Sequence, residues 1–159
     1  MRFGDNIMMM NKRTNGFLVM DIGDPIVSPD EAYACTTTTK ETPPCGRSIL
    51  YLKKVNEEEG DDIVHYGEHL RFVTNPYIFH KPLYLHSTQL TPQIFARFSR
   101  NCEVSLHSKA IYNTVWTILP PDGVQSPLIG RPVQANTELL VVHCGTQEYL
   151  SNDFINYSN

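Results

Sequence analysis

Apolar residues in this chain fall in short runs separated by turn-forming residues, and one arrangement of them recurs. Arg2-Phe3-Gly4-Asp5-Asn6-Ile7-Met8-Met9 is matched by His65-Tyr66-Gly67-Glu68-His69-Leu70-Arg71-Phe72, and Asn136-Thr137-Glu138-Leu139-Leu140-Val141 is a weaker third copy. Gly67 follows Gly4 by 63 residues, and Asn136 follows Gly67 by 69. Each copy is trailed by a second apolar run: Leu18-Val19-Met20, Leu83-Tyr84-Leu85, then Tyr149-Leu150. A period of this size marks one supersecondary unit used three times.

The runs are rich in β-branched and aromatic residues and bounded by turn signals, the signature of strands. Strands are predicted near 5–10, 17–21, 33–38, 47–55, 67–73, 82–86, 102–107, 113–119, 137–143 and 148–151. Asn15-Gly16, Pro43-Pro44, Glu59-Gly60-Asp61, Asn75-Pro76 and Pro121-Asp122-Gly123 supply turns between them. One helical turn is predicted at Thr91-Pro92-Gln93-Ile94-Phe95-Ala96, where Thr can cap and Pro suits the first helical position. No other segment keeps a helical apolar period for three turns.

The expected fold is all-β and β-trefoil-like. It forms one domain over 1–159, with three repeats of about four strands at approximately 1–62, 63–132 and 133–159. In that plan the first and last strands of each repeat build a barrel filled by side chains, and the middle pairs form a cap. Only about ten strands are found, because the third repeat runs out at Tyr157-Ser158-Asn159 and reads as truncated. An unpaired barrel ladder invites another chain. Three explanations stand open: a fragment or shortened isoform, a partner that supplies the missing edge, or a strand count other than ten.

Composition narrows the function. The chain has 159 residues, 41% hydrophobic and 19% charged, as expected of a folded domain. Its net charge of −4 disfavours nucleic acid and anionic membrane as partners. The N-terminus places Arg2 and Asp5 where a signal peptide would carry an apolar core, so an intracellular location is expected. Four unpatterned cysteines then read as reduced thiols.

Candidate chemistry is sparse. His65 and His69 are four apart, but the segment reads as a strand entry, and no Cys-x-x-Cys or His-Glu-x-x-His pattern supports a zinc site. His143 and Cys144 are adjacent on a strand and so point to opposite faces, a poor base–nucleophile pair. Cys35 and Cys45 could meet across a hairpin, although free thiols are preferred. Asp5 and Glu68 hold matching repeat positions, which suits a turn role. Trp116 reads as core, since no Gln precedes it as in sugar-binding trefoils. No Gly-x-x-x-x-Gly-Lys phosphate loop occurs; Gly123, Gly130 and Gly145 read as turn glycines. Catalytic, cofactor-binding and metal residues are therefore not assigned.

A set of segments in order carries a resemblance. They are Phe3-Gly4-Asp5, Pro43-Pro44-Cys45-Gly46, Tyr66-Gly67-Glu68, Pro82-Leu83-Tyr84-Leu85, Pro132-Val133-Gln134-Ala135-Asn136-Thr137 and Leu139-Leu140-Val141-Val142-His143-Cys144. Together, from about Arg2 to about Tyr149, the chain resembles the cilia- and flagella-associated protein 161 family of microtubule inner proteins, whose fold is similar to trefoils of the MIR type. Relative to that family it is expected to lack an N-terminal segment, the last trefoil strands and a C-terminal tail. The resemblance implies a non-enzymatic structural protein of the cytoskeleton, in the axoneme of cilia and flagella. It would bind the luminal wall of doublet microtubules, with α/β-tubulin and other inner proteins as partners, and serve motility. No catalytic motif or cofactor comes with it. Loops 22–30, 40–46, 56–63, 74–81 and 120–132 are the candidate tubulin contacts. The competing expectation is a soluble β-trefoil protein- or ligand-binding module without a microtubule role.

Overall fold

A computed structural model describes residues 1–39, 43–57 and 60–152. Parts of loops 40–46 and 56–63, and the segment ending in Tyr157-Ser158-Asn159, lie outside the described residues. Among the described residues nine strands are present: β1 (Asn6–Ile7), β2 (Leu18–Pro25), β3 (Ala32–Thr37), β4 (Leu50–Lys54), β5 (His69–Thr74), β6 (Tyr84–Ser87), β7 (Val104–His107), β8 (Trp116–Leu119) and β9 (Leu140–His143). All pairings are antiparallel, in the order β1-β4-β5-β6-β7-β3-β2, with β8 joined to β5 and to β9. This is the trefoil plan. β1, β4, β5, β8 and β9 run along the barrel, and the hairpins β2–β3 and β6–β7 meet through β3 and β7, where Tyr33 opposes Leu106.

The three copies of the repeated pattern occupy equivalent turns. Gly4, Gly67 and Asn136 all have positive φ, +87°, +88° and +59°. Glycine suits that region because it has no Cβ, and asparagine tolerates it better than most residues. Asp5 and Glu68 close the first two turns identically: the Asp5 carboxylate accepts from the Arg2 N–H at 2.7 Å, and that of Glu68 from the His65 N–H at 3.1 Å. Backbone bonds follow the same symmetry. Val64 N–H donates to Met1 O at 3.1 Å, Val133 N–H to Val64 O at 2.8 Å, and the Met1 nitrogen to Val133 O at 2.6 Å. A closed cycle of three hydrogen bonds thus joins the three copies around one axis.

Strand alternation sends one face of each barrel strand inward. Leu50 and Leu52 of β4, Leu70 and Phe72 of β5, and Trp116 and Ile118 of β8 are all buried. Their cross-strand partners match, Leu52 against Phe72 and Leu70 against Trp116. Trp116 fills the centre as expected: its indole N–H donates to Leu85 O at 2.8 Å, and Phe72 meets it edge-on at 6.4 Å. Each such side chain contributes about 1.5–3 kcal/mol by leaving water.

Several expected boundaries shift. The strands expected at 47–55 and 113–119 begin with 3-10 turns, Gly46–Ser48 and Tyr112–Thr114, before β4 and β8. Ser48 and Thr114 are buried at the ends of these turns. The strand expected at 148–151 is reduced to one bridge, Tyr149 to Val142, supported by Leu150 N–H to Val141 O at 2.8 Å. The single helical turn expected at 91–96 does not form. Thr91 Oγ1 accepts from the N–H groups of Gln93 and Ile94, as a cap would, but no helical bond follows and the segment is a bend.

Gly67→Ala isolates the cost of the turn, because a Cβ there would meet only the Ile129 side chain, at ordinary distances of 3.5 and 3.8 Å. Strain in the left-handed region should destabilise the protein by about 1–2 kcal/mol. Gly67→Asn should cost less, since Asn136 already holds the equivalent conformation. Urea unfolding of both variants measures the difference; equal losses would refute a conformational origin.

Candidate functional site

Histidines gather where the β6–β7 hairpin meets the third repeat. Leu85 and Leu106 point into the core, so their neighbours His86, Ser105 and His107 share the other face of the hairpin. The rings of His86 and His107 stack at 3.6 Å between centroids. His86 Nδ1 lies 3.3 Å from Ser105 Oγ. Burial, with the nearby His107 and His143, lowers the pKa of His86 to about 4. Burial also lowers that of His107, against the opposing pull of Asp30.

His143 is fixed from both sides. The Thr146 N–H donates to its Nδ1 at 3.1 Å, so Nδ1 must accept and the proton sits on Nε2, facing Asn113 O at 3.0 Å. Both nitrogens are satisfied in the neutral ring, and burial lowers the pKa. The ring packs 4.7 Å from that of Trp116. This geometry is a buried spacer with one tautomer. Cys144 beside it is also buried, which pushes its thiol pKa up.

The other sites considered in the sequence are scattered. His65 lies near Asp61 and Glu68, while His69 is exposed on β5. Among the described residues no group of three or more His, Cys, Asp or Glu is placed to hold a metal ion. All four cysteines are free. Burial and the Glu103 carboxylate push the Cys35 thiol far up, so that it stays protonated. Cys45 is exposed, and the backbone N–H of Arg47 lowers its pKa by stabilising the thiolate.

Two open depressions stand out on the surface of the described residues. One, of about 320 Å³, is bordered by Lys54, Val55, Asn56 and the Gly67-Glu68-His69 turn. The other, a shallow groove of about 420 Å³, is lined by Leu90, Thr91, Pro92, Phe95 and Arg100. The second belongs to the long 88–103 connection between β6 and β7, which the sequence reading did not include among its contact loops. The alternation of aromatic and arginine residues in Phe95-Ala96-Arg97-Phe98 was the available signal. Only Phe95 and Ala96 of it fall in the helical turn expected at 91–96.

No protein-family model and no curated protein matches this sequence. Among solved structures, the SDF2-like protein from Arabidopsis thaliana superposes with a TM-score of 0.74 at 19% identity, covering 99% of this chain and 80% of that one. The likeness establishes the β-trefoil-like fold.

The histidines give stability a defined pH dependence. Their unfolded pKa is about 6.5, and in the folded protein all three lie lower, His86 at about 4. Between those values the unfolded chain binds more protons, so stability is full above about pH 6.5 and falls as the pH drops toward 4. Thermal melts across this window should show the decline, and His86→Gln with His107→Gln should flatten it; an unchanged slope would refute the assignment. Thiol chemistry should be equally selective. Iodoacetamide on the native protein should modify Cys45 well before Cys35 or Cys144, as read by peptide mass spectrometry.

Proposed function

We propose that this chain is a non-enzymatic structural protein of the axoneme, seated on the luminal wall of doublet microtubules among other inner proteins. What carries the reading is the ordered set of segments, from Phe3-Gly4-Asp5 to Leu139–Cys144, through which the chain resembles the cilia- and flagella-associated protein 161 family. Phe3-Gly4-Asp5 and Tyr66-Gly67-Glu68 form the equivalent turns of the scaffold, so the resemblance falls on residues that shape the fold.

Its action is mechanical. A hydrogen-bonded barrel carries its loops on a common scaffold, and loops on a rigid scaffold are where binding resides. Three of the proposed contact loops display apolar side chains: Val27 on 22–30, Tyr77 on 74–81, and Val124 on 120–132, with Tyr77 96% exposed. Apolar tips suit a partner that is acidic, as tubulin is, because bulk charge cannot drive association with a chain of net charge −4. The same charge weighs against nucleic acid and anionic membrane.

Fractionation of motile cilia carrying a tagged copy tests the proposal. Retention with the doublets after detergent and high salt is expected. Release into the soluble matrix would overturn it and favour the second reading, a soluble trefoil interaction module, to which the exposed groove on 88–103 would be central.

A further inference from the structure

The 88–103 loop carries two arginines, Arg97 and Arg100, in a stretch poor in acidic residues. From His69 to Cys102 there is no Asp or Glu, while Arg71, Lys81, Arg97 and Arg100 fall within that stretch of a chain whose net charge is −4. Two of these cations are occupied. Lys81 pairs with Glu31, and Arg71 bonds Thr114 Oγ1 and Val55 O. Arg97 and Arg100 pair with no carboxylate among the described residues.

Both guanidiniums lie against aromatic rings. Arg100 sits 4.5 Å from the centroid of Phe95, and Arg97 sits 5.3 Å from that of Phe98. A guanidinium stacked on a ring keeps its edge donors free, and those donors match a carboxylate in bidentate geometry. Stacking also removes much of the side-chain freedom that binding would otherwise have to restrict. Around the cations the surface is apolar: Leu90, Ile94 and Phe98 are 55%, 45% and 58% exposed. Leu90, Pro92 and Phe95 line the groove beside Arg100.

The loop is braced from within and at its base. Ser87 Oγ donates to Glu103 O at 2.9 Å across its neck, and Gln89 Nε2 reaches Gly145 O at 3.3 Å. Ala96 N–H donates to Asn101 O, and Arg100 N–H to Ala96 O. Arg100 has φ +63°, a conformation unfavourable for arginine, which this turn imposes and which delivers its side chain over Phe95.

We propose that the 88–103 loop is a docking site for an acidic peptide segment of a partner protein, with carboxylates on Arg97 and Arg100 and an aliphatic or aromatic side chain in the Leu90–Pro92–Phe95 groove. Charge complementarity selects this occupant. Two arginines among apolar side chains are too few for a nucleic-acid backbone or an anionic bilayer, which are held by larger basic clusters. The inference concerns one loop that is not among the contacts assigned to the microtubule role, and it holds whether or not the protein resides in the axoneme.

Fluorescence anisotropy with a labelled synthetic peptide alternating glutamate with leucine and phenylalanine tests it on the full chain. Saturable binding that weakens with added salt is expected. Arg97→Gln with Arg100→Asn should weaken it at least about tenfold, the loss expected when charge-assisted bonds go. Asn tolerates positive φ, so the melting temperature should hold. Arg131→Gln, a surface control, should leave affinity unchanged, and a peptide with lysine in place of glutamate should not bind. Absent saturable binding, equal affinity for the double variant, or preference for phosphatidylserine vesicles or oligouridine would each overturn the proposal. Ciliary fractionation remains a separate readout, so failure here leaves the microtubule reading untouched and the reverse also holds.

Discussion

Three backbone hydrogen bonds arranged head to tail hold the centre of this fold. Met1, Val64 and Val133 each donate to one partner and accept from the other, so the cycle closes only if all three repeats arrive together. Val64 and Val133 are buried at that point, where an unmatched backbone group would be costly. The left-handed turns at Gly4, Gly67 and Asn136 follow three residues after each member of the cycle. Those turns lead into β1, β5 and β9, whose pairing with β4 and β8 builds the barrel.

Outside the barrel the repeats diverge, and the divergence separates scaffold from surface. The β6–β7 hairpin buries Leu85 and Leu106 below, carries the stacked His86 and His107 above, and extends into the long 88–103 loop. The β2–β3 hairpin instead turns through 26–31 and displays Val27. Equivalent points of one framework thus present an arginine–aromatic surface in one repeat and an apolar tip in another. The framework requires neither, which leaves such loops free to differ.

The repeat spacing was legible because it rests on backbone conformation. Gly4 and Gly67 declare a left-handed turn in their residue type, and Asn136 declares it more weakly; Asp5 and Glu68 announce their caps through their spacing. β-Branched and aromatic residues in Ser48-Ile49-Leu50-Tyr51-Leu52-Lys53, set between turn signals, likewise marked a strand. What escaped was decided by distant contacts. Nothing local says that Ser48 and Thr114 end tight turns, since their burial depends on packing from other strands. The His86–His107 stack joins residues 21 apart that meet only once β6 and β7 pair in register. The 88–103 segment shows the opposite error. Its Thr-Pro start carries a real capping signal, and the Thr91 bonds form, but with Ile94 exposed no apolar face holds even the one helical turn expected there.

A threefold repeat offers the folding chain wrong partners of nearly the right shape, because a strand from one repeat could pair as its counterpart in the next. Trp116 breaks that degeneracy. It stands where the first repeat has Leu50, it is the chain's one tryptophan, and its indole N–H is satisfied by Leu85 O at 2.8 Å. Placed in another sector, the larger ring would overfill the core and bury an unbonded donor. One asymmetric side chain therefore assigns each repeat its place around the axis, and the landscape keeps a single deep minimum where perfect symmetry would offer several.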